Sequence, residues 1–216
     1  MTDLAIYQKI NEKFYDDQLQ SVNPLRRWFH ANRYKIINNF VHSFYAPSMK
    51  IVDVGAGSCC WNKDKLPVFG IDCNEQLLQY GTDQGRLQGY KVADIHQTGI
   101  RDTDFDIAVA TEVLEHFGEV DCVVKEVYRM LKPGGTFIIS VPYDQGFSLW
   151  KTFFFLQTIY KGFLKGDEYY KKQCGHVQHF SLESLKTLLE RQGFSVETGF
   201  SVWRFSIFVV ARRHDD

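Results

Sequence analysis

The sequence predicts an α/β fold: a mostly parallel seven-stranded sheet, helices on both faces, and an antiparallel strand in a C-terminal hairpin. Three features lead there. From Lys50 onward, short apolar runs alternate with stretches of helical periodicity, the pattern of parallel strands joined by right-handed crossovers. Several of those runs end in an acid or a glycine turn. The last two are separated by only a short turn, as in a hairpin.

The elements follow in chain order. From about Leu4 to Ser43 the sequence reads as helical, with Phe29, Tyr34, Ile36, Ile37, Phe40 and Val41 recurring at three- and four-residue steps. Asn23-Pro24 supplies a helix start. This gives an N-terminal helical cap over 1–48 and a main domain over 49–216. Lys50-Ile51-Val52-Asp53-Val54 is the first strand and runs into Gly55-Ala56-Gly57. Val68 to Ile71 is the second, ending in Asp72; the third ends at Val92-Ala93, before Asp94. Phe105 to Ala110 is nearly all apolar, as expected of a strand covered on both faces. Helical stretches fall around Glu75 to Tyr80 and Val120 to Leu131, and Lys132-Pro133-Gly134-Gly135 breaks the second before the strand Thr136 to Val141. An amphipathic helix from Ser184 to Arg191 stops at Gly193, and Phe194 to Phe200 and Phe205 to Ala211 form the closing strands.

Composition narrows the function. A chain of 216 residues with 44% hydrophobic and 24% charged residues is ordinary for one globular domain, while 15% aromatics is high. A net charge of −1 leaves no broad basic field, which disfavours nucleic acid as a partner. Cys59, Cys60, Cys73, Cys122 and Cys174 are odd in number and lack paired ligand spacing, so reduced thiols and no metal are expected. The start, MTDLAIYQKINEKF, is unlike a signal peptide, and no apolar run is long enough to span a bilayer. The expected location is cytoplasmic.

The first strand and its glycine turn carry the strongest chemical signal. Glycines allow a sharp turn and a close backbone approach to a ligand. Asp72, at the end of the second strand, is placed to accept hydrogen bonds from both hydroxyls of a ribose. Asp94 follows the third strand, near an adenine amino group. Dinucleotide binding needs G-x-G-x-x-G, and the third position here is Cys60. Asp53 also suits the cationic amino group of a methionine moiety better than a pyrophosphate.

In this order and spacing the chain resembles the class I S-adenosylmethionine-dependent methyltransferases, in particular the subgroup acting on small molecules and lipids, over about Lys50 to Ala211. Val52-Asp53-Val54-Gly55-Ala56-Gly57 looks like their first motif, Gly70-Ile71-Asp72 like their second-strand acid, and Ala93-Asp94-Ile95 like the adenine-side acid. Thr111-Glu112-Val113-Leu114-Glu115-His116 is similar to the segment after strand four, and Leu131-Lys132-Pro133-Gly134-Gly135 to the break before strand five. The resemblance implies a Rossmann-like fold and S-adenosylmethionine as cofactor. Asp53, Gly55 and Gly57 would line the methionine end, Asp72 the ribose and Asp94 the adenine, with Ala56, Cys73 and Ile95 also among the cofactor-binding residues. Thr111, Glu112 and His116 would lie beside the cofactor toward the acceptor. The stretch from Gly57 to Asp72 is about one helical turn shorter than usual for these enzymes, so a stunted or irregular first helix is expected, with Cys59 and Cys60 as packing residues.

The acceptor side is less defined. Thr111-Glu112-Val113-Leu114 occupies the place where methyltransferases of base amines carry Asn/Asp-Pro-Pro-aromatic, which disfavours base methylation. His116, Tyr143, His176 and His179 are the candidate catalytic groups, histidine being suited to accept a proton near neutrality. Gly175 to Ser181 can equally be a structural turn capping a helix that Ser181 starts. An aromatic-rich insertion at about 146–175 reads either as a helix packed on the domain or as an apolar cap over a lipid-like acceptor, with peripheral membrane contact through 146–165. Tyr7, Phe14, Tyr15, Trp28 and His30 could form an opposite wall. The favoured function is methyl transfer to oxygen, nitrogen or carbon of a small or lipid-like acceptor. The alternatives are a non-catalytic cofactor-binding or regulatory protein on the same fold, and an NAD-dependent oxidoreductase.

Overall fold

The computed structural model describes residues 10–144, 155, 159, 160, 166 and 176–215. The aromatic insertion and Cys174 therefore lie almost wholly outside the described residues. Two helices come first, α1 (Phe14–Leu19) and α2 (Pro24–Phe44), followed by β1 (Ile51–Val54), β2 (Val68–Asp72), α3 (Glu75–Asp83), β3 (Gly89–Val92) and β4 (Phe105–Thr111). A 3₁₀ turn at Leu114–His116 leads to α4 (Val120–Met130), β5 (Leu131–Pro142), α5 (Leu182–Arg191), β6 (Phe194–Val202) and β7 (Ser206–Arg213).

The seven strands form one sheet in the order β3-β2-β1-β4-β5-β7-β6. Strands β1 to β5 pair in parallel; β7 runs antiparallel to β5, and β6 antiparallel to β7. The expected seven-stranded sheet with its closing hairpin is thus the observed one. Alternation along β1 shows why the helices divide between two faces. Ile51 points into a core with Tyr34, Ile37 and Val41 of α2, while Val52 and Val54 point into the other, with Val123, Val124 and Val127 of α4.

Local chemistry sets the helix starts. Asn23 accepts hydrogen bonds from the amides of Leu25 and Arg26 at 3.0 and 3.2 Å, with Pro24 in the first helical position. Asn74 caps α3 through the amide of Leu77, and Ser181 and Ser184 form a reciprocal capping box on α5.

Three boundaries differ from the sequence reading. The N-terminal helical stretch is broken between Leu19 and Pro24, because the Asn23-Pro24 start belongs to the second helix alone. Strand β5 begins at Leu131, upstream of the Pro-Gly-Gly break, and the register shift between Phe105 and Ile107 on β4 absorbs the irregularity. Between β1 and β2 the chain forms turns with no helix. There Asn62, fully buried, donates to the carbonyls of Leu66 and Arg86 at 2.8 Å each and accepts from the Leu66 amide at 2.9 Å, replacing the missing helical hydrogen bonds.

A second polar anchor ties the loop after β3 to α4. Glu126 accepts from the Thr98 amide and hydroxyl at 2.8 and 2.6 Å and from two Arg129 nitrogens at 2.8 and 2.7 Å. The hydrogen bonds of Arg129, then those of Thr98, overcome burial and hold its carboxyl at about 2. A depressed pKa means stability present above the ordinary carboxylate range and lost as pH falls through the folded value. Glu126→Gln should therefore cost about 1–3 kcal/mol at neutral pH. In urea melts across a pH series, the gap to wild type should close between the ordinary 4.5 and about 2; a gap independent of pH would refute this.

Candidate functional site

The C-terminal ends of β1, β2, β3 and β4 converge on one edge of the sheet, beside the point where strand order reverses at β1. In open α/β sheets ligands bind there. A cavity of about 630 Å³ occupies the place, lined among others by Gly55, Asp72, Cys73, Asp94, Ile95 and Glu112. His116 and Phe117 of the segment after β4, Leu77 of α3 and Tyr15 of α1 complete much of its wall.

Its floor is the turn after β1. Gly55 has φ of 70°, and a Cβ there would lie 2.6 Å from Val113 Cγ2. At Gly57, with φ of 50°, a Cβ would meet the Tyr15 ring at 2.7 Å. Both positions need glycine for conformation and for space. The amides of Gly55 and Ala56 donate to the Ile71 carbonyl at 2.8 and 3.0 Å, which locks the turn to β2.

Asp72 completes the lock. Its Oδ2 accepts from the Gly57 amide at 2.8 Å and its Oδ1 from the Asn74 amide at 2.9 Å. Burial raises its pKa, and these amide donors oppose the rise. Cys73 adds further hydrogen bonds to the same carboxylate, which also lines the cavity. Asp94 sits across the floor, bonded to the His96 amide at 2.9 Å and ring at 2.7 Å, and these bonds outweigh partial burial to lower its pKa.

The other predicted cofactor residues divide. Gly55, Asp72, Cys73, Asp94, Ile95, Glu112 and His116 line the cavity, whereas Asp53, Ala56, Gly57 and Thr111 lie outside its lining. Asp53 lies behind the lining: the residue is 2% exposed and its carboxylate accepts from the Trp61 indole at 2.8 Å. Burial raises its pKa to about 7, and the bond to Trp61 ties it to the β1–β2 loop. Its side chain follows the alternation of β1, which points Asp53 toward the face holding Trp61 and away from the edge. Ala56 is core, Gly57 acts through its amide, and Thr111 Oγ1 is buried with no partner among the described residues.

The acceptor side is built on buried charge. Arg33 of α2, almost fully buried, reaches Glu112 at 3.2 Å and lies over the rings of Phe29 and Tyr34 at 5.2 and 5.0 Å. Glu112 holds a left-handed backbone, φ of 54°, and accepts from the Ser140 hydroxyl at 3.2 Å. Burial raises its pKa and the Arg33 charge opposes that rise. One turn on, the Glu115 side chain is fully buried, with neither carboxylate oxygen hydrogen-bonded among the described residues. Burial, then the Glu112 charge, push its pKa well above the usual carboxylate range.

The Glu115 carbonyl accepts from the amides of Val177 and Gln178 at 2.9 and 3.0 Å. That draws in His176, whose ring lies 4.9 Å from that of His116. Burial, followed by the charge of His116, holds the His176 pKa well below its ordinary value, so its imidazole stays neutral. Glu115, His116 and His176 offer donor atoms within 4.8 Å of one another, a set that could hold one divalent cation. The sequence reading missed it because the third member lies sixty positions downstream of the other two, joined only through backbone hydrogen bonds to Glu115.

Of the four candidate catalytic groups, His116 alone lines the cavity. His179 is turned to Asp144 at 2.8 Å, and Tyr143 lies in an isolated bridge with Phe180. Arg33, Glu115 and Asp144 were invisible to motif reasoning, since each acts through contacts distant in sequence.

Residues 52–139 match the family model of a methyltransferase domain. The chain is 28% identical over 215 residues to the mitochondrial ubiquinone biosynthesis O-methyltransferase of Rattus norvegicus, covering 91% of this chain and 60% of that protein. It is 25% identical over 182 residues to the ubiquinone/menaquinone biosynthesis C-methyltransferase UbiE of Paraburkholderia phytofirmans, covering 76% and 74%. With the sterol 24-C-methyltransferase of Yarrowia lipolytica it shares 29% over 115 residues, 46% of this chain and 30% of that one. The chain thus spans only part of the rat and yeast relatives. Its fold is similar to that of an S-adenosylmethionine-dependent methyltransferase of Methanosarcina mazei, with a TM-score of 0.59, 19% identity and coverage of 82% and 98%.

Arg33 holds two buried acids in check, and that has a measurable consequence. Arg33→Met should destabilise the fold by about 3–5 kcal/mol at neutral pH, because Glu112 is left as an uncompensated buried charge. Protonation of raised carboxyls relieves such a penalty. The loss should therefore shrink in mildly acid buffer, as followed by thermal melts; a loss that grows on acidification would contradict the account.

Proposed function

We propose, for a chain that belongs to the class I S-adenosylmethionine-dependent methyltransferases, that it transfers a methyl group to an oxygen of a small, lipid-like acceptor. One observation carries this reading: a single cavity joins a pair of carboxylates, Asp72 and Asp94, to a histidine on its acceptor side. The cofactor of this family supplies an electrophilic methyl group on a sulfonium sulfur.

The chain's residues divide the work. The Asp72 carboxylate in the cavity wall suits ribose hydroxyls at the end of the second strand, and the Asp94–Ile95 wall suits an adenine. The turn at Gly55 brings backbone close to the methionine part without a side chain in the way. Glu112, beside Gly55 at the same edge of the cavity wall, is the carboxyl we assign to a cationic amino group. Arg33, at 3.2 Å, favours its charged form against burial.

His116 holds the acceptor's hydroxyl and takes its proton as the new bond forms. Glu115 lies beside it, Oε1 to Nε2 at 3.7 Å, and its buried side chain backs the imidazole on the side away from solvent. Tyr15, Leu77 and Phe117 supply apolar wall, which keeps water from competing for the methyl group. The names of the relatives support a quinol- or sterol-like acceptor, and a hydroxyl oxygen on it loses a proton as it is methylated. A carbon acceptor is the second reading, favoured by the likeness to two C-methyltransferases.

Two substitutions test the assignment. Asp72→Ala should weaken S-adenosylmethionine binding by about 1–3 kcal/mol in calorimetric titration, through lost charge-assisted hydrogen bonds; an unchanged dissociation constant would remove Asp72 from the site. His116→Gln should lower kcat by about a hundred- to ten-thousand-fold with catechol or quinol acceptors while cofactor affinity stays within about twofold. Mass spectrometry of the product, with labelled methyl on carbon in place of oxygen, would decide for the second reading.

A further inference from the structure

We infer that the start of α2 and the β6–β7 turn together form a docking surface for an anionic lipid bilayer. The proposal adds a membrane-facing surface to the lipid-like acceptor proposed above and is tested separately from it.

The two segments meet at an exposed aromatic patch. Trp203 is 70% exposed and Trp28 36%, and their rings lie 5.4 Å apart. Leu25, at 39%, and Val22, at 100%, continue the apolar surface along the helix start. Beneath it, Phe205 packs against Trp28 and Phe29 at 6.4 and 5.7 Å, which anchors the exposed rings to the core. Tryptophan in such a position suits the interface between headgroups and acyl chains.

Charge identifies the occupant. No Asp or Glu occurs between Asp17 and Asp53, whereas α2 carries Arg26, Arg27, Arg33 and Lys35. Arg26 and Arg27 stand in the first turn, where the helix dipole favours acids, and that turn has none. An anionic surface complements cations placed there. Arg204 adds a third cation from the turn, next to Trp203. Trp203 and Arg204 both hold left-handed backbone, φ of 48° and 53°, in a place where hairpins favour Asn-Gly. Of the carboxylates near this helix, Asp64 is held by Asn38 and His42, and Glu112 by Arg33.

Position supplies the rest. Ser206 pairs with Pro142 at the C-terminal end of β5, so the turn stands on the sheet edge that carries the cavity. Arg33 spans the two: it lines the pocket under Trp28 and pairs with Glu112 in the cavity wall. A bilayer seated on the patch would bring its acyl region alongside the acceptor side.

The test is cosedimentation of the full chain with vesicles of phosphatidylcholine alone and of phosphatidylcholine mixed with phosphatidylglycerol. Wild type should bind the anionic vesicles and release them as salt is raised. Trp203→Ser should weaken binding about ten-fold or more, and Arg27→Gln about five-fold, with circular dichroism and S-adenosylmethionine affinity unchanged. Equal binding to both vesicle types, no binding, or variants that bind like wild type would overturn the proposal. So would retention by soluble polyglutamate with no affinity for vesicles, which would point to an acidic protein partner. Cofactor binding without vesicle binding would sink the docking surface and leave the methyltransferase reading standing.

Discussion

The Arg33–Glu112 ion pair joins the helical cap to the catalytic edge, and the acceptor side depends on it. Glu112 has a left-handed backbone and a buried carboxylate, two features that a fold tolerates only when neighbouring structure compels them. Arg33 provides that compulsion from a helix that precedes the sheet in sequence. Because the guanidinium is itself nearly buried and flanked by aromatic rings, it cannot swing away to solvent without exposing them. The cap is therefore part of the site. With Glu112 neutralised, Glu115 one turn later stays buried, and its backbone carbonyl gathers the segment that carries His176.

A second set of constraints works from the opposite face. Asp53 and Trp61 share a buried hydrogen bond behind β1, and Asn62 takes over the bonding that a helix would have provided. The shortened β1–β2 connection thus stays rigid through side chains. Rigidity there matters because the Gly55–Gly57 turn is fixed at both ends, to Ile71 by amides and to Asp72 by carboxylate. A ligand that engages Asp72 engages the turn at the same time.

The fold was largely legible in the sequence because its signals are local. Apolar runs ending in Gly55, Asp72 and Asp94 gave strand positions and their shared edge, and the closing runs gave the hairpin. Asn23-Pro24 and Ser181 marked helix starts through capping chemistry alone. The limits of this reading fall where side-chain direction or long-range contact decides. Asp53 is separated from Gly55 by one residue, yet strand alternation turns it into the core, and a motif string carries no such direction. Glu115 stands within the segment after β4 that the resemblance covers, but its contact with the returning chain at Val177 and Gln178 is long-range and has no local signal. The Pro-Gly-Gly segment suggested a break before the fifth strand, and the ladder to β4 does skip from Leu131 to Thr136, where pairing with β7 also begins.

Asp144 closes the strand from which the aromatic insertion departs. Its two oxygens accept from the Phe180 amide at 2.7 Å and the His179 ring at 2.8 Å, and Tyr143 bridges to Phe180. The clasp therefore ties the end of β5 to the start of α5. The entropic cost of holding two such ends together rises only with the logarithm of the chain length between them.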